Sequence, residues 1–312
     1  MKMINFWKKA YILPAFLIIS LSTAACGHYT EFDDSNFSVL QEKIFNTTPG
    51  KTFNLKAYSG DVIVTTSDEP QVYVKILGND RAEKKVRFEF SEGDDGVSII
   101  TKGHENWNFF NFGNGIRLRF EVRLPKNYNA KISSSGGDIK LENLNGNIDF
   151  STSGGDVFIK NSTGEIEAST SGGEVNLADT KGNLELKTSG GDIRSDGFDG
   201  NIYAHTSGGS VSLKGGNGKI DAGTSGGNVD LDYSGANMGI YLETSGGNIT
   251  LKLPQDFNAN AKMSTSGGSI HCDFPGNNVT TISSGKYEAE FNKGGSDVIA
   301  KTSGGDISVT KK

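Results

Sequence analysis

A parallel β-helix, or β-solenoid, is the fold class that this sequence of 312 residues predicts. The first observation is a tetrapeptide, Thr-Ser-Gly-Gly or Ser-Ser-Gly-Gly, that recurs through the last two-thirds of the chain at intervals of mostly 18–21 residues. Its second residue is Ser135, Ser153, Ser171, Ser189, Ser207, Ser225, Ser245, Ser266 and Ser303. The second observation is the alternation of apolar and polar residues between the tetrapeptides. A unit this short cannot bury its own apolar face, so the units must stack as rungs.

One interval, from Ser266 to Ser303, is about twice as long as the others. We expect it to hold a degenerate copy of the tetrapeptide, Ser283-Ser284-Gly285-Lys286. With that copy the sequence predicts ten rungs that follow one another along the chain. Ten rungs at the usual strand spacing of about 4.8 Å would extend roughly 50 Å.

Each repeat contains two alternating segments, which predicts two short strands per rung and no helix. The first segment follows the tetrapeptide, as in Val157 and Ile159. The second follows a further glycine, as in Gly164 before Ile166 and Ala168. The inward positions of successive rungs should form columns of Ile, Val and Leu in parallel sheets.

The paired glycines of each tetrapeptide predict backbone with φ > 0, where a Cβ would clash. The next residue is usually an acid, an amide or a serine, as in Asp138, Asp156 and Asn228. We interpret these side chains as Asx-type caps of turn amides. A calcium-binding β-roll needs a third glycine and a nine-residue period, and both are missing. We therefore expect no metal and no cofactor.

Residues 1–25 have the pattern of a signal peptide. Basic residues precede an apolar run at 11–21, which is short for a membrane span. The segment ends in Thr23-Ala24-Ala25-Cys26, which resembles a bacterial lipoprotein signal in which Cys26 becomes the lipidated first residue. Thr23 departs from the aliphatic residue usual there, so cleavage by ordinary signal peptidase stays an alternative.

The chain has one other cysteine, Cys272. It falls in the inward column that holds Leu251, which predicts a buried small apolar side chain and leaves Cys26 free for lipid. Residues 26–50 are polar and lack a clear pattern. We interpret them as the lipidated cysteine and a polar tether, with a binding arm as the alternative.

Residues 51–130 alternate without strict repeats and predict an irregular β-rich cap. Ser59-Gly60-Asp61-Val62 has the form of an early repeat, and the segment 124–130 is echoed at 253–259. We expect one continuous β-domain in which this part covers the open end of the regular repeats at 131–312.

The mature chain would be acidic. Loss of residues 1–25 removes three of the 31 basic residues and none of the 37 acidic ones, which leaves a net charge of −9. An acidic surface repels phosphate backbones, and no basic stripe is visible, so nucleic-acid binding is set aside.

Taken together, the signal with Cys26, the opening Ser59-Gly60-Asp61-Val62 and the Thr-Ser-Gly-Gly-Asp-Ile pattern resemble the bacterial "putative-adhesin" family of β-strand-repeat proteins, a domain of unknown function. The resemblance covers about residues 50–312. It implies an exported right-handed β-helix and brings no catalytic positions. Some relatives are associated with envelope-stress responses, which implies a structural or sensory role as an alternative.

A third hypothesis, after the adhesin-like module and the structural or sensory role, is a polysaccharide-processing enzyme on a β-helix. Asp138 and Asp156 would lie on neighbouring rungs at a separation that suits paired catalytic carboxylates, but any column of a solenoid meets that condition. Arg194 is the only arginine after Arg123, and no nucleophilic serine motif is present. The histidines, His28, His104, His205 and His271, form no triad in the sequence. We predict no catalytic residues and no enzyme activity.

The segment 104–115 breaks the repeat pattern. It places Trp107, Phe109, Phe110 and Phe112 among Asn and Gly residues between two strands. These four aromatic residues are the candidate binding patch, suited to sugar rings or to a protein partner. The alternative, which the need for a cap favours, is that they fold back over the end of the solenoid.

The sequence therefore predicts an exported, lipid-anchored, adhesin-like interaction module at the outer membrane or cell surface. The expected partners are the membrane, through the lipid on Cys26, and a glycan or cell-envelope protein. No feature sets the oligomeric state.

Overall fold

The computed structural model describes residues 37–103 and 115–312, with the side chains of 277–282 left aside. The described residues form 27 strands and one short helix. The N-terminal elements are β1 (Ser38–Asn46), β2 (Thr52–Ala57), β3 (Asp61–Ser67), β4 (Gln71–Gly78), α1 (Asp80–Lys85), β5 (Val86–Gly93), β6 (Gly96–Gly103) and β7 (Leu118–Pro125).

The repeats give two strands per rung. They are β8 (Asn129–Ser134) and β9 (Ile139–Glu142), β10 (Ile148–Thr152) and β11 (Val157–Lys160), β12 (Thr163–Ser169) and β13 (Val175–Ala178), β14 (Lys181–Lys187) and β15 (Ile193–Asp199), β16 (Ile202–His205) and β17 (Val211–Gly216), β18 (Ile220–Thr224) and β19 (Val229–Tyr233), β20 (Ile240–Thr244) and β21 (Ile249–Leu253). The C-terminal strands are β22 (Ala259–Thr265), β23 (Ile270–Cys272), β24 (Gly276–Ser283), β25 (Lys286–Phe291), β26 (Asp297–Thr302) and β27 (Ile307–Lys311).

Equivalent strands pair in parallel and in register, which confirms the all-β class. Ile148 of β10 pairs with Ile166 of β12, 18 residues later, and Ile220 of β18 pairs with Ile240 of β20, 20 residues later. The inward side chains of these strands are buried against the next rung. Burial of each Ile, Val or Leu contributes about 1.5–3 kcal/mol, so the stacking of rungs supplies the core that one rung lacks.

The order of the rungs in space differs from their order in the chain. Strands β26 and β27 lie between the rung β20/β21 and the rung β22/β23. At the other end, β2 and β3 lie between β6/β7 and β8/β9. The expectation of ten successive rungs from Ser135 onwards is therefore wrong at the C-terminal end, and the order of the N-terminal strands was not predicted. Both terminal segments return into the stack and gain a neighbouring rung on each side.

The degenerate tetrapeptide Ser283-Ser284-Gly285-Lys286 does not begin a rung. Ser283 and Lys286 pair across the antiparallel hairpin formed by β24 and β25, and β25 pairs with β22. Ser and Gly are common both in a hairpin turn of this kind and in a solenoid corner. The sequence pattern therefore could not distinguish a hairpin from a further rung.

The N-terminal part extends the stack with antiparallel strands. β5 pairs with β6, β4 pairs with β7, and β1 pairs with β4. Residues 38–46, which the sequence analysis places in a tether, thus form an edge strand. Their side chains are largely exposed because β1 is the outermost strand, and this polar surface hides the strand in the sequence.

Each corner of the solenoid is tight because equivalent backbones stack directly. A Cβ on Gly155 would collide with the carbonyl oxygen of Gly137, and one on Gly173 would collide with that of Gly155. Of the described tetrapeptide pairs, only Gly137 has φ in the left-handed region, at +101°. Close approach between rungs, and not φ > 0, is therefore the general reason for the second glycine.

In the part of the chain that the structure describes, no helix has the length and apolar character to cross a membrane.

Candidate functional site

The acidic and amide residues after the glycine pairs hold one rung to the next. The Asp138 carboxylate accepts a hydrogen bond from the backbone N–H of Asp156 over 3.0 Å, and Asp156 accepts one from Glu174 over 2.8 Å. Asn228 and Asn248 continue the pattern in later rungs. The predicted amide caps exist, but they act on the following rung and not within their own turn. The side chains at these corners are therefore structural.

The hydrogen bonds of the corner carboxylates concern the same residues that the enzyme hypothesis would use for catalysis. Asp138 and Asp156 are the two carboxylates that the enzyme hypothesis treats as a catalytic pair. Each accepts a hydrogen bond from a backbone N–H of the following rung. Arg194 forms ion pairs with Glu174 and with Asp192, the latter over 2.6 Å. Among the described residues, no three or more His, Cys, Asp or Glu side chains are grouped so that they could hold a metal ion.

The two described histidines lie on different strands, and Cys272 directly follows His271 in β23. His271 is exposed and contacts Asp273, whereas His205 lies on the outer face of β16. Cys272 is a free thiol and is only half-buried, which corrects the expectation of a fully buried side chain. It lies in the rung β22/β23, where β27 is the strand that pairs with β23 among the described residues, so one edge of β23 has no described partner strand. Desolvation still raises the pKa of the Cys272 thiol.

Cys26 and the predicted aromatic patch lie outside the described residues, as do His28 and His104. The patch residues are Trp107, Phe109, Phe110 and Phe112. What the structure does describe is where their segment is attached. It leaves β6 after Gly103 and returns at Gly115, whose carbonyl accepts a hydrogen bond from the Asn79 side chain over 2.6 Å. The segment therefore connects the two strands of the β6/β7 rung.

A groove that the sequence analysis missed lies on the outer face of β12, β14, β16 and β18. Its volume is about 390 Å³. Tyr203 borders the groove and has 41% of its surface exposed, although most of the large apolar or aromatic side chains that the structure describes are buried. We call it the Tyr203 groove, and its principal lining residues are Tyr203, Glu167, Asn183, Glu185, Asn201 and Asp221.

The Tyr203 ring is held in place from one side. His205 stacks on it with a centroid distance of 4.2 Å and an interplanar angle of 27°. His205 is fixed in turn by Asp221, since its Nε2 lies 2.8 Å from the Asp221 carboxylate. A Cβ on the neighbouring residue Gly223 would come within 2.9 Å of the His205 ring, so this glycine leaves the space that the ring occupies.

Hydrogen-bonding groups surround the ring. Asn201 donates to the side-chain oxygen of Asn183 over 3.0 Å and accepts from the backbone N–H of Lys219 over 2.8 Å. An amide has two N–H donors and an oxygen with two lone pairs, so capacity remains on both side chains. Lys187 pairs with Glu185, and this hydrogen bond raises the pKa of the lysine.

The sequence carried a weak signal for this groove. The outward positions in register on successive strands are Asp149, Glu167, Glu185, Tyr203, Asp221 and Tyr241. An aromatic residue thus interrupts a column of acids at Tyr203. The stacking of Tyr203 on His205 follows from strand geometry, because residues two apart on a strand share a face.

Comparison with protein families finds a match to the family described as Toastrack DUF4097, over residues 51–310. That span covers most of the described chain, including the repeats and most of the irregular N-terminal part. No curated protein sequence matches the chain.

Solved structures with partial similarity come from several bacteria. A "putative adhesin" from Parabacteroides merdae is 12% identical, with 89% of this chain and 97% of that chain covered and a TM-score of 0.45. A "putative adhesin" from Bacteroides fragilis is 13% identical, with 86% and 96% covered and a TM-score of 0.34. A "putative cell adhesion protein" from Clostridium sporogenes is 15% identical, with 87% and 99% covered and a TM-score of 0.21. These names describe those proteins.

Proposed function

The chain belongs to the Toastrack DUF4097 family, and from this premise we propose that it is a non-catalytic, adhesin-like interaction module of the bacterial cell surface. The observation that carries the proposal is that the polar side chains of the repeated corners serve the stacking of the rungs. The acids, amides and hydroxyls of the repeated corners hold the rungs together, as Asp138 and Thr170 do. The side chains that can contact a ligand are therefore those on the outer sheet faces and at the two ends of the stack.

The proposal includes export and a lipid anchor. Its support is the sequence, in which basic residues and an apolar run precede Thr23-Ala24-Ala25-Cys26. The described chain begins its first strand at Ser38, so about a dozen residues would separate a lipid on Cys26 from the folded domain. At no more than about 3.3–3.6 Å per residue, a stretch of that length can span at most about 40 Å.

The aromatic patch of Trp107, Phe109, Phe110 and Phe112 is the first proposed binding surface. Its support is its composition and its attachment to the β6/β7 rung, near the end of the stack at which β1, β4 and β5 also lie. Aromatic side chains supply large contact areas for sugars and for protein partners. We propose a glycan or a cell-envelope protein as the partner.

A binding screen tests this function. The full chain, expressed with its own leader and purified in mild detergent, is applied to arrays of glycans and of cell-envelope proteins. A variant with Ser at all four aromatic positions is applied in parallel, and the unfolding midpoint of each protein is recorded. We expect the native chain to bind at least one component of the arrays specifically, and the variant to lose that binding while it stays folded. Absence of binding by the native chain would contradict the proposal and favour a structural or sensory role.

A further inference from the structure

We propose that the Tyr203 groove is a binding site for a neutral polysaccharide of extended, β-1,4-linked form, whose chain runs along the axis of the solenoid. This inference deepens the proposed function, since it names a second surface and the chemical class of its ligand. It does not involve the aromatic patch at 107–112.

The first step concerns the aromatic ring. One face of Tyr203 is covered by His205, which is not among the residues that line the groove. Tyr203 itself lines the groove, so the groove is bordered by the part of the ring that His205 leaves uncovered. A flat, exposed aromatic face is the surface on which the C–H face of a sugar ring packs. Because His205 is itself held by Asp221, the Tyr203 ring is oriented before any ligand arrives, which lowers the entropic cost of binding.

The second step concerns the polar lining. A sugar hydroxyl both donates and accepts hydrogen bonds, and it needs partners of both kinds. Asn183 and Asn201 offer both, whereas Glu167 and Glu185 offer acceptors. A cationic peptide would need acceptors only, so the pair of amides beside the aromatic ring favours a sugar over such a peptide.

The third step concerns charge. Glu165, Glu167, Glu185 and Asp221 line the groove, against one lining cation, Lys219, among the described residues. The Lys187 ammonium lies over the Tyr203 ring, 5.3 Å from its centroid, but Lys187 is in register with His205 and is already paired with Glu185. Four carboxylates repel a uronate, a phosphate or a sulfate group. The ligand that fits is therefore a neutral sugar chain.

The fourth step concerns the direction of the chain. Tyr241 occupies the same outward column as Tyr203, two strands further along the axis, with Asp221 between them. Two strand spacings correspond to roughly 10 Å. A β-1,4-linked chain turns alternate sugars over, so it presents an equivalent ring face at every second residue. A polymer that lies along the axis can thus meet Tyr203 and Tyr241 with equivalent sugars.

The experiment is calorimetric titration of the full chain in detergent with three probes of equal length. These are the hexasaccharide of β-1,4-linked glucose, the hexamer of α-1,4-linked galacturonate and hexalysine. The variants are Tyr203→Ala, Tyr203→Phe and the protein with four Ser residues in the aromatic patch. Unfolding midpoints establish that each variant is folded.

We expect the native chain to bind the neutral hexasaccharide and to bind neither charged probe. Tyr203→Ala should weaken this binding about tenfold or more, because the stacking surface is lost. Tyr203→Phe keeps the ring and should bind within about twofold of the native chain. The four-Ser variant should bind as the native chain does.

Three results would overturn the inference: no binding of the neutral hexasaccharide, equal binding by Tyr203→Ala, or binding of galacturonate or hexalysine in its place. Each leaves the proposed function standing if the aromatic patch supports specific binding in the array screen. Conversely, loss of patch binding in that screen does not affect the groove.

Discussion

The Thr170 hydroxyl donates a hydrogen bond to the carbonyl oxygen of Gly155, in the preceding rung, over 2.8 Å. The same oxygen atom of Thr170 accepts from the backbone N–H of Gly173, within its own corner, over 3.3 Å. Thr152, Thr188, Thr206, Thr224, Thr244, Thr265 and Thr302 repeat the bond to a neighbouring rung. The bond within the corner is repeated by Thr152, Thr188, Thr224, Thr244, Thr265 and Thr302. The threonine of each repeat is thus buried and joins two rungs, which explains why the repeat retains it.

Thr170→Val tests this hydrogen bond. Valine has nearly the shape of threonine, but it leaves the Gly155 carbonyl and the Gly173 N–H without this partner. We expect a loss of about 1–3 kcal/mol in the free energy of unfolding, measured by urea denaturation. Thr170→Ser is the control, because Ser134 fills the equivalent place in its own rung and its hydroxyl donates to the Gly60 carbonyl of the neighbouring rung over 3.3 Å. A valine variant as stable as the serine variant would refute the role of the hydroxyl.

The two glycines of one corner should differ sharply in their tolerance of alanine. A Cβ on Gly155 meets the Gly137 carbonyl oxygen of the rung below, whereas a Cβ on Gly154 meets no atom within 4 Å. We expect Gly155→Ala to lose about 3 kcal/mol or more, and Gly154→Ala to change stability by about 0.5 kcal/mol at most. Urea denaturation of both variants gives the comparison. Equal effects would mean that the corners do not stack as described.

The return of β26 into the stack can be tested by cross-linking. Glu243 and Ser264 both pair with Lys301, one from each side. In a chain with Cys272→Ser, cysteines at positions 243 and 301 should form a disulfide on mild oxidation. Cysteines at 243 and 264 should not, since they lie two strand spacings, about 10 Å, apart and a disulfide needs Cα atoms within roughly 7 Å. The reverse result, read by mass spectrometry, would restore sequential rungs.

Two aspartates of the corner column should respond to pH in opposite ways. Burial, as the largest effect, raises the pKa of Asp61 above 3.8, so the ionised side chain opposes folding at neutral pH. Hydrogen bonds from Ser269 lower the pKa of Asp306, so its ionised form favours folding. That contribution is present above pH 3.8 and declines as the pH falls through the lowered pKa.

Substitution by asparagine separates these effects. Asn keeps an oxygen that can accept from the amide of the next rung, the bond that Asp61 makes to Asp138 over 3.0 Å. At pH 7 we expect Asp61→Asn to raise the unfolding midpoint and Asp306→Asn to lower it. The difference for Asp61→Asn should shrink as the pH falls through the raised pKa of Asp61 towards 3.8, and the difference for Asp306→Asn should shrink only as the pH falls from 3.8 through the lowered pKa of Asp306. If the unfolding midpoint of Asp61→Asn at pH 7 were lower than that of the native chain, the charge of Asp61 would not destabilise the folded state.

The proposed anchor gives a further prediction. Mass spectrometry of the mature chain should find Cys26 as the first residue, carrying a lipid, and the protein should partition into detergent. Cys26→Ser should move it to the aqueous phase, because a single serine offers no thiol for the lipid. An unmodified N-terminus at Cys26 would instead support ordinary signal peptidase.

The sequence was sufficient to predict the parallel strands and their inward columns, because each rung repeats the same apolar positions. Val157, Ile159 and Ile166 are all buried as their alternation predicts. It was insufficient for the order of the rungs, since a repeat such as that at Ser303 packs equally well against any rung with matching columns. The hairpin at Ser284 was missed because its turn has the same Ser and Gly residues as a solenoid corner. The strand at 38–46 was missed because most of its side chains are exposed and many of them are polar.

The outer surface was less accessible to prediction. The Tyr203 groove depends on side chains from four strands that are 18 residues apart in sequence, and on the stacking of His205, which periodicity alone does not reveal. Outward positions carry no packing constraint, so their function shows only when neighbouring strands are placed side by side. The candidate aromatic patch at Trp107 and its neighbours stays a prediction.

The central claim is that this chain binds its ligand without changing it. The most direct measurement is to incubate the full chain with the glycan that it retains from the array, for many hours, and to analyse the recovered glycan by mass spectrometry. We expect the glycan to be recovered at its original length and mass. Shortened or otherwise altered products, absent from a sample incubated with heat-denatured protein, would contradict the account and support a β-helix enzyme.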